Sequence, residues 1–253
     1  MRMAVFATLL LPALAPRAVS PPTEAFIIRG QRQSLHLYGA RGGPAAIVAS
    51  GDGGWVHLAP YVAEFLSGNG YFVVGFDSKA YLSSFTRDGT TLSTRDVPVD
   101  FTALLDYAAT DASAQPVLIG VSEGAGLSVL AATQDVVKAK ALGVLALGLP
   151  DKNELGWRFR DSVIYVTKGV PKEPLFSAAD VIGKVAPLPI AAIHSTGDEF
   201  VPVDEVKRVM DRAREPKQLA LIEAENHRFA GSEAELNRKL LEAIEWIKRQ
   251  GRR

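Results

Sequence analysis

Cysteine is absent from all 253 residues. Disulfides, thiol nucleophiles, zinc–thiolate centres and lipid attachment at an N-terminal cysteine are therefore excluded. No excess of either charge sign exists, since Lys+Arg and Asp+Glu are each 28. A balanced chain offers no global basic surface, so nucleic-acid binding driven by phosphate contacts is not expected. No apolar run is long enough for a membrane span. The longest lies at the start, where Arg2 precedes 13 mostly apolar residues, Met3–Ala15. A bilayer span needs roughly 20 such residues. No internal repeat, metal-ligand constellation or phosphate-binding Gly-Lys-Ser/Thr motif is present, so no cofactor is expected.

A positive start, a short apolar stretch and then a Pro/Ser-rich segment at 16–23 together match a secretory signal peptide. Export is expected, with residues 1–20 as the signal, cut near Ala15 or within Ala18–Ser20. Residues 21–253 are then expected to form one domain. Apolar residues at 47% and charged residues at 22% are ordinary for a globular chain that buries one core.

Beyond the linker, apolar runs of strand length alternate with helical patterns. Expected strands are Ala25–Arg29, Leu35–Tyr38, Ala45–Ser50, Tyr71–Phe76, Pro116–Val121, Ala141–Leu147, Ser162–Thr167, Pro189–His194 and Lys217–Glu223. Several are apolar on both faces, as strands in a parallel sheet covered by helices must be. Expected helices are Leu58–Ser67, Val99–Ala109, Gly124–Thr133, Val203–Arg214 and Glu233–Arg249; the last carries Leu236, Leu240, Ile244 and Ile247 as one stripe. Alternation of this kind implies an α/β layered fold. The first two strands lack an intervening helix and predict an antiparallel hairpin at a sheet edge. Residues 148–188 break the rhythm with Pro150, Pro171, Pro174 and Pro187. Such an insertion reads as a lid or binding loop, or as a surface excursion.

Gly120-Val-Ser122-Glu-Gly124 stands between an apolar strand and a helical pattern. This is the G-x-S-x-G nucleophile elbow in its strand–turn–helix setting, and it predicts an α/β-hydrolase fold. In that fold the serine is followed along the chain by an acid and then a histidine. Asp198 lies just past the strand 189–194, and His227 lies between the last strand and the final helix. Ser122 is therefore expected as nucleophile, His227 as general base and Asp198 as the acid that orients it. Glu199 and Asp204 are nearby alternatives for the acid. His194, His36 and His57 are expected in packing or surface roles.

An oxyanion needs preorganised donors. One is expected from the backbone N–H of Glu123. The other is expected from Ser50-Gly-Asp52-Gly-Gly-Trp55, with Asp52 favoured and Gly53 the alternative. The carboxylates of Asp52 and Glu123 could also bind substrate, attracting the ammonium of an aminoacyl ester. The alternative is that they point to solvent or cap helices.

Ser50-Gly-Asp-Gly-Gly-Trp55, Gly75-Phe-Asp-Ser-Lys79-Ala-Tyr81 and Gly120-Val-Ser-Glu-Gly124 resemble the bacterial virulence family of VirJ and AcvB, over roughly residues 44–249. The resemblance implies an α/β-hydrolase fold, a periplasmic location and Ser122, Asp198 and His227 as a triad. It also implies, from the AcvB branch, hydrolysis of lysyl-phosphatidylglycerol, an aminoacylated membrane lipid. Two other functions are compatible with the sequence. One is a general carboxylesterase similar to dienelactone hydrolase. The other is a non-catalytic periplasmic interaction protein linked to secretion.

Overall fold

A computed structural model describes residues 21–87, 89–109, 111, 114–158 and 173–251. Ten strands are described: β1 (Thr23–Ile28), β2 (Gln31–Tyr38), β3 (Ala45–Ala49), β4 (Phe72–Phe76), β5 (Val117–Val121), β6 (Gly143–Leu147), β7 (Lys152–Glu154), β8 (Leu175–Ser177), β9 (Ile190–Ser195) and β10 (Lys217–Ile222). Eight form one sheet in the order β1-β2-β4-β3-β5-β6-β9-β10, while β7 and β8 pair separately. The expected edge hairpin is present: β1 pairs with β2 and β2 with β4 antiparallel, and every later neighbour in the sheet is parallel. This is the mostly parallel sheet of an α/β hydrolase.

The apolar runs explain the layering. All five residues of β3, β4, β5 and β6 are buried. Successive side chains on a strand face opposite ways. In β3, Ala45, Ile47 and Ala49 accordingly pack into one core, and Ala46 and Val48 into the other. The first core is closed by α2 (Ser78–Phe85), α3 (Asp96–Ala108), α4 (Glu123–Ala131) and the helix Val203–Arg212. The second is closed by α1 (Leu58–Gly68) and the C-terminal helix Glu233–Gly251, whose Leu236, Leu240, Ile244 and Ile247 form the expected stripe.

Helix α2 was not foreseen. It carries three serines in eight residues and buries only Ser78, Tyr81 and Leu82, so no apolar stripe announces it. Its N-cap is strong, because Asp77 Oδ1 accepts from Ala80 N at 2.9 Å. The helix is pinned from within: Tyr81 O–H donates to Asp100 Oδ2 at 2.6 Å, and Arg29 grips both oxygens of Asp100 at 2.8 Å. The insertion is only partly described. It contributes the β7–β8 ribbon, the helix Ala178–Val181 and one 3₁₀ turn, Ile182–Lys184. The expected strand Ser162–Thr167 lies outside the described residues, as does the N-terminal segment 1–20.

Candidate active site

Strand β5 ends at Val121, and α4 begins at Glu123. Ser122 makes the whole turn between them, with φ 52° and ψ −119°. A non-glycine residue here is strained, and such strain persists only where the surroundings fix it. Two glycines make the turn possible. A Cβ on Gly120 would lie 2.2 Å from Gly124 O, and one on Gly124 would lie 2.4 Å from both Ala49 O and Ser50 O. All nine residues of α4 are buried. Ser122 N donates to Leu147 O at 2.8 Å, fixing the elbow against β6.

Asp198 and His227 come from the ends of the two neighbouring strands, β9 and β10. His227 Nδ1 meets Asp198 Oδ2 at 2.6 Å. Asp198 Oδ1 accepts from Phe200 N at 2.9 Å and Val201 N at 2.8 Å. Burial alone would raise this carboxyl, but the His227 hydrogen bond and charge, with the two backbone donors, outweigh it and hold it below the usual range. The imidazole lies over Gly148, where a Cβ would come within 2.5 Å of its Cε1. Gly148 follows Leu147, the residue that accepts the Ser122 N–H. The absent side chain at 148 thus leaves the histidine ring room next to the residue that accepts the Ser122 N–H. Phe200 stands edge-on to the ring at 5.6 Å.

Neither alternative acid is hydrogen-bonded to the His227 ring. Glu199 Oε2 accepts from the His227 backbone N–H at 2.7 Å and so steadies the loop rather than the ring. Asp204 lies in the first turn of the helix Val203–Arg212. His194 is fully buried, with Nε2 2.9 Å from Val201 O and 3.8 Å from Asp198 Oδ2. Burial lowers its pKa despite Asp198, so it packs as a neutral ring. His36 stacks on Trp55 at 4.8 Å, and His57 is exposed.

The loop after β3 lies against the serine. A Cβ on Gly51 would be 3.2 Å from Ser122 Cβ. Gly54 N donates to Gly51 O at 3.0 Å, which closes a tight turn around Asp52 and Gly53. Among the described residues, the N–H groups of Asp52, Gly53 and Glu123 donate to no protein acceptor. These donors are free for a developing oxyanion, and the choice between Asp52 and Gly53 stays open. The loop is seated by the second sequence segment. Trp55 N donates to Asp77 Oδ2 at 3.2 Å, Trp55 Nε1 donates to Tyr38 O–H at 3.2 Å, and a Cβ on Gly75 would strike the indole at 2.3 Å.

Glu123 departs from the place expected of a substrate-facing carboxylate. Its side chain is only 6% exposed, and its Oε1 accepts from Glu154 N of β7 at 2.6 Å. Burial, and then the nearby charge of Glu154, push its pKa well above the usual range; the backbone hydrogen bond opposes them, and Asp52 adds to them. A neutral, buried acid is a poor magnet for an ammonium group. Sequence reasoning missed this because the covering strand comes from the irregular insertion. Among the described residues, no His/Cys/Asp/Glu group is arranged to hold a metal ion.

The sheet order, with a strained serine after its fifth strand and Asp198 and His227 after its last two, defines an α/β hydrolase. Residues 44–247 match the family model described as "VirJ: Bacterial virulence protein (VirJ)", and the chain belongs to that family. A Salmonella typhimurium (strain LT2) protein described as "Uncharacterized protein YfhR" is 31% identical over 150 residues, covering 55% of this chain. The chain spans about half the length of that relative, 51%. Among solved structures, Est1E from Butyrivibrio proteoclasticus matches with a TM-score of 0.63 at 15% identity, over 88% of this chain and 98% of its own. The Pyrococcus furiosus esterase Pf2001 matches at 0.65 and 16%, over 93% and 94%. At such identities the likeness concerns the fold.

Proposed function

We propose that this chain is a serine esterase using Ser122, Asp198 and His227. One observation carries the reading: the 2.6 Å contact between His227 Nδ1 and Asp198 Oδ2, made with the imidazole over Gly148, the residue after the one that accepts the Ser122 N–H. That contact directs Nε2, the free ring nitrogen, to act as base. His227 would take the Ser122 proton while Oγ attacks the ester carbonyl. The tetrahedral oxyanion would be held by Glu123 N–H and by Asp52 or Gly53 N–H, aided by the N-terminus of α4. Collapse would expel the alcohol with a proton from His227. Water, activated by the same imidazole, would then release the acid and restore the serine. No cofactor is needed for any of these steps.

The finer reading is hydrolysis of aminoacyl esters of phosphatidylglycerol in the periplasm. It is supported by family membership, and the signal-like start of the sequence supports export. Asp52, half-buried on the oxyanion loop, is the remaining carboxylate for an ammonium now that Glu123 is turned inward.

The test is a fluorophosphonate probe on the mature protein, followed by turnover of a lysyl lipid and a simple aryl ester side by side. Labelling at Ser122 is expected, and Ser122→Ala should abolish both labelling and turnover while keeping the fold. Near-wild-type turnover by pure, folded Ser122→Ala protein would reject the assignment. Preference for the aryl ester would favour a general carboxylesterase.

A further inference from the structure

Lys79 is a cation beside the proposed reaction site, and among the described residues no carboxylate pairs with it. It sits in the first turn of α2, and its Cδ lies 3.5 Å from where a Cβ of Gly54 would stand, against the oxyanion loop. Its Nζ lies over the ring of Trp157, 4.3 Å from the centroid. Trp157 belongs to the insertion and is anchored by its own backbone, which donates to Thr86 Oγ1 at 3.0 Å. Lys79 thus bridges the oxyanion loop and the insertion, and both it and Trp157 are partly exposed.

The neighbouring carboxylate is already engaged. Asp77 spends one oxygen on Ala80 N and the other on Trp55 N, and it makes no ion pair with Lys79. Among the described residues, no carboxylate oxygen lies within 4.0 Å of Nζ. An ammonium group has three N–H donors. A ring face attracts the charge but leaves donors for an oxygen ligand. The helix below does not move freely, because Tyr81, two residues on, is fully buried and tied to the Arg29–Asp100 pair. The cation is therefore preorganised by an aromatic face and a pinned helix.

We propose that Lys79 is a specificity-determining residue that binds an anionic oxyacid group, phosphate or carboxylate, carried by the ester substrate a few bonds from the scissile carbonyl. The proposal deepens the esterase reading and rests on it for the ester. A charge-assisted hydrogen bond in a partly desolvated cleft is worth about tenfold or more in selectivity.

The experiment compares the butyrate esters of glycerol, glycerol 3-phosphate and glyceric acid on the full chain. Wild type should prefer at least one anionic ester over the neutral one, and which one it prefers identifies the oxyacid. Lys79→Met should lower that anionic-to-neutral ratio of kcat/KM by about tenfold or more. Lys79→Arg keeps the charge and should restore most of the ratio. Where wild type hydrolyses these esters, a ratio unchanged in Lys79→Met, or no anionic preference in wild type, overturns the proposal. A second arm needs no turnover: calorimetric binding of glycerol 3-phosphate and glycerate to Ser122→Ala protein, with and without Lys79→Met. Binding that depends on Lys79, where the wild type cleaves none of the three esters nor the lysyl lipid and takes no fluorophosphonate label, would uphold the anion site and sink the esterase. Binding of both anions that is indifferent to Lys79 would overturn the anion site whatever the enzyme hydrolyses.

Discussion

Two carboxyl groups stand close to the serine and the histidine, both shielded from water, and their surroundings drive them in opposite directions. Asp198 is held below the usual range, and Glu123 is pushed well above it. Burial acts upward on both, most strongly on Glu123, and is the largest single cause on each; on Asp198 the other causes together outweigh it. The rest of the difference lies in what faces each carboxyl. Asp198 receives the His227 ring nitrogen and two backbone N–H groups. Glu123 receives one backbone N–H and faces the acidic side chains of Glu154 and Asp52. Donor supply and neighbouring charge decide whether the cost of burial is offset, and so which carboxyl can serve as an anion beneath a histidine.

The sharpest way to break the comparison is to remove the charge from the lowered partner. Asp198→Asn keeps the shape but cannot hold Nδ1 protonated in the same tautomer. A loss of roughly 10⁴ in kcat is expected from steady-state ester hydrolysis, with the fold retained. A loss below tenfold would mean that another acid orients His227. Next in size, Gly148→Ala leaves both carboxyls alone and displaces the base instead, since its Cβ would lie 2.5 Å from His227 Cε1 and its φ is +60°. About a 10²-fold drop in kcat is expected from that misplacement. Wild-type rates with the variant folded would show that the ring does not need its present seat.

The smallest effect is expected from Glu123→Gln. A raised folded pKa means stability that is full below the usual glutamate range and is lost as pH rises through the folded value. For Asp198 the sign reverses: its contribution is present above the usual aspartate range and is lost as pH falls through the lowered value. Glu123→Gln should therefore match wild type in acid and become more stable than it as pH rises, by about 1 kcal/mol, read as Tm against pH. A variant less stable than wild type at every pH would mean that the carboxyl is held as an anion.

The same pair marks the limit of what the residues alone reveal. Ser122, Asp198 and His227 could be picked out as candidates because each follows an apolar run that reads as a strand, and chain order assigned the roles proposed for them. The edge hairpin was visible in the missing helix between its strands, and the last helix in its stripe. Helix α2 was not, since its buried face amounts to Ser78, Tyr81 and Leu82 among polar neighbours. The three-residue strands β7 and β8 are too short to show a period. Glu123's buried state depends on β7, and the Lys79–Trp157 contact joins α2 to the same insertion. Both arise from distant segments meeting, which no local pattern encodes.

Helix α4 has water on none of its faces, whereas the loop that carries Asp198 runs on into exposed Glu199 and Phe200. Amide exchange from α4 would then require the sheet itself to come apart, while the loop's amides can open on their own. The setting of the proposed nucleophile is thereby as durable as the whole fold, and that of the proposed base is not. Under mild denaturation the chain would pass through a state in which the serine keeps its strained turn but has lost the partner proposed to take its proton.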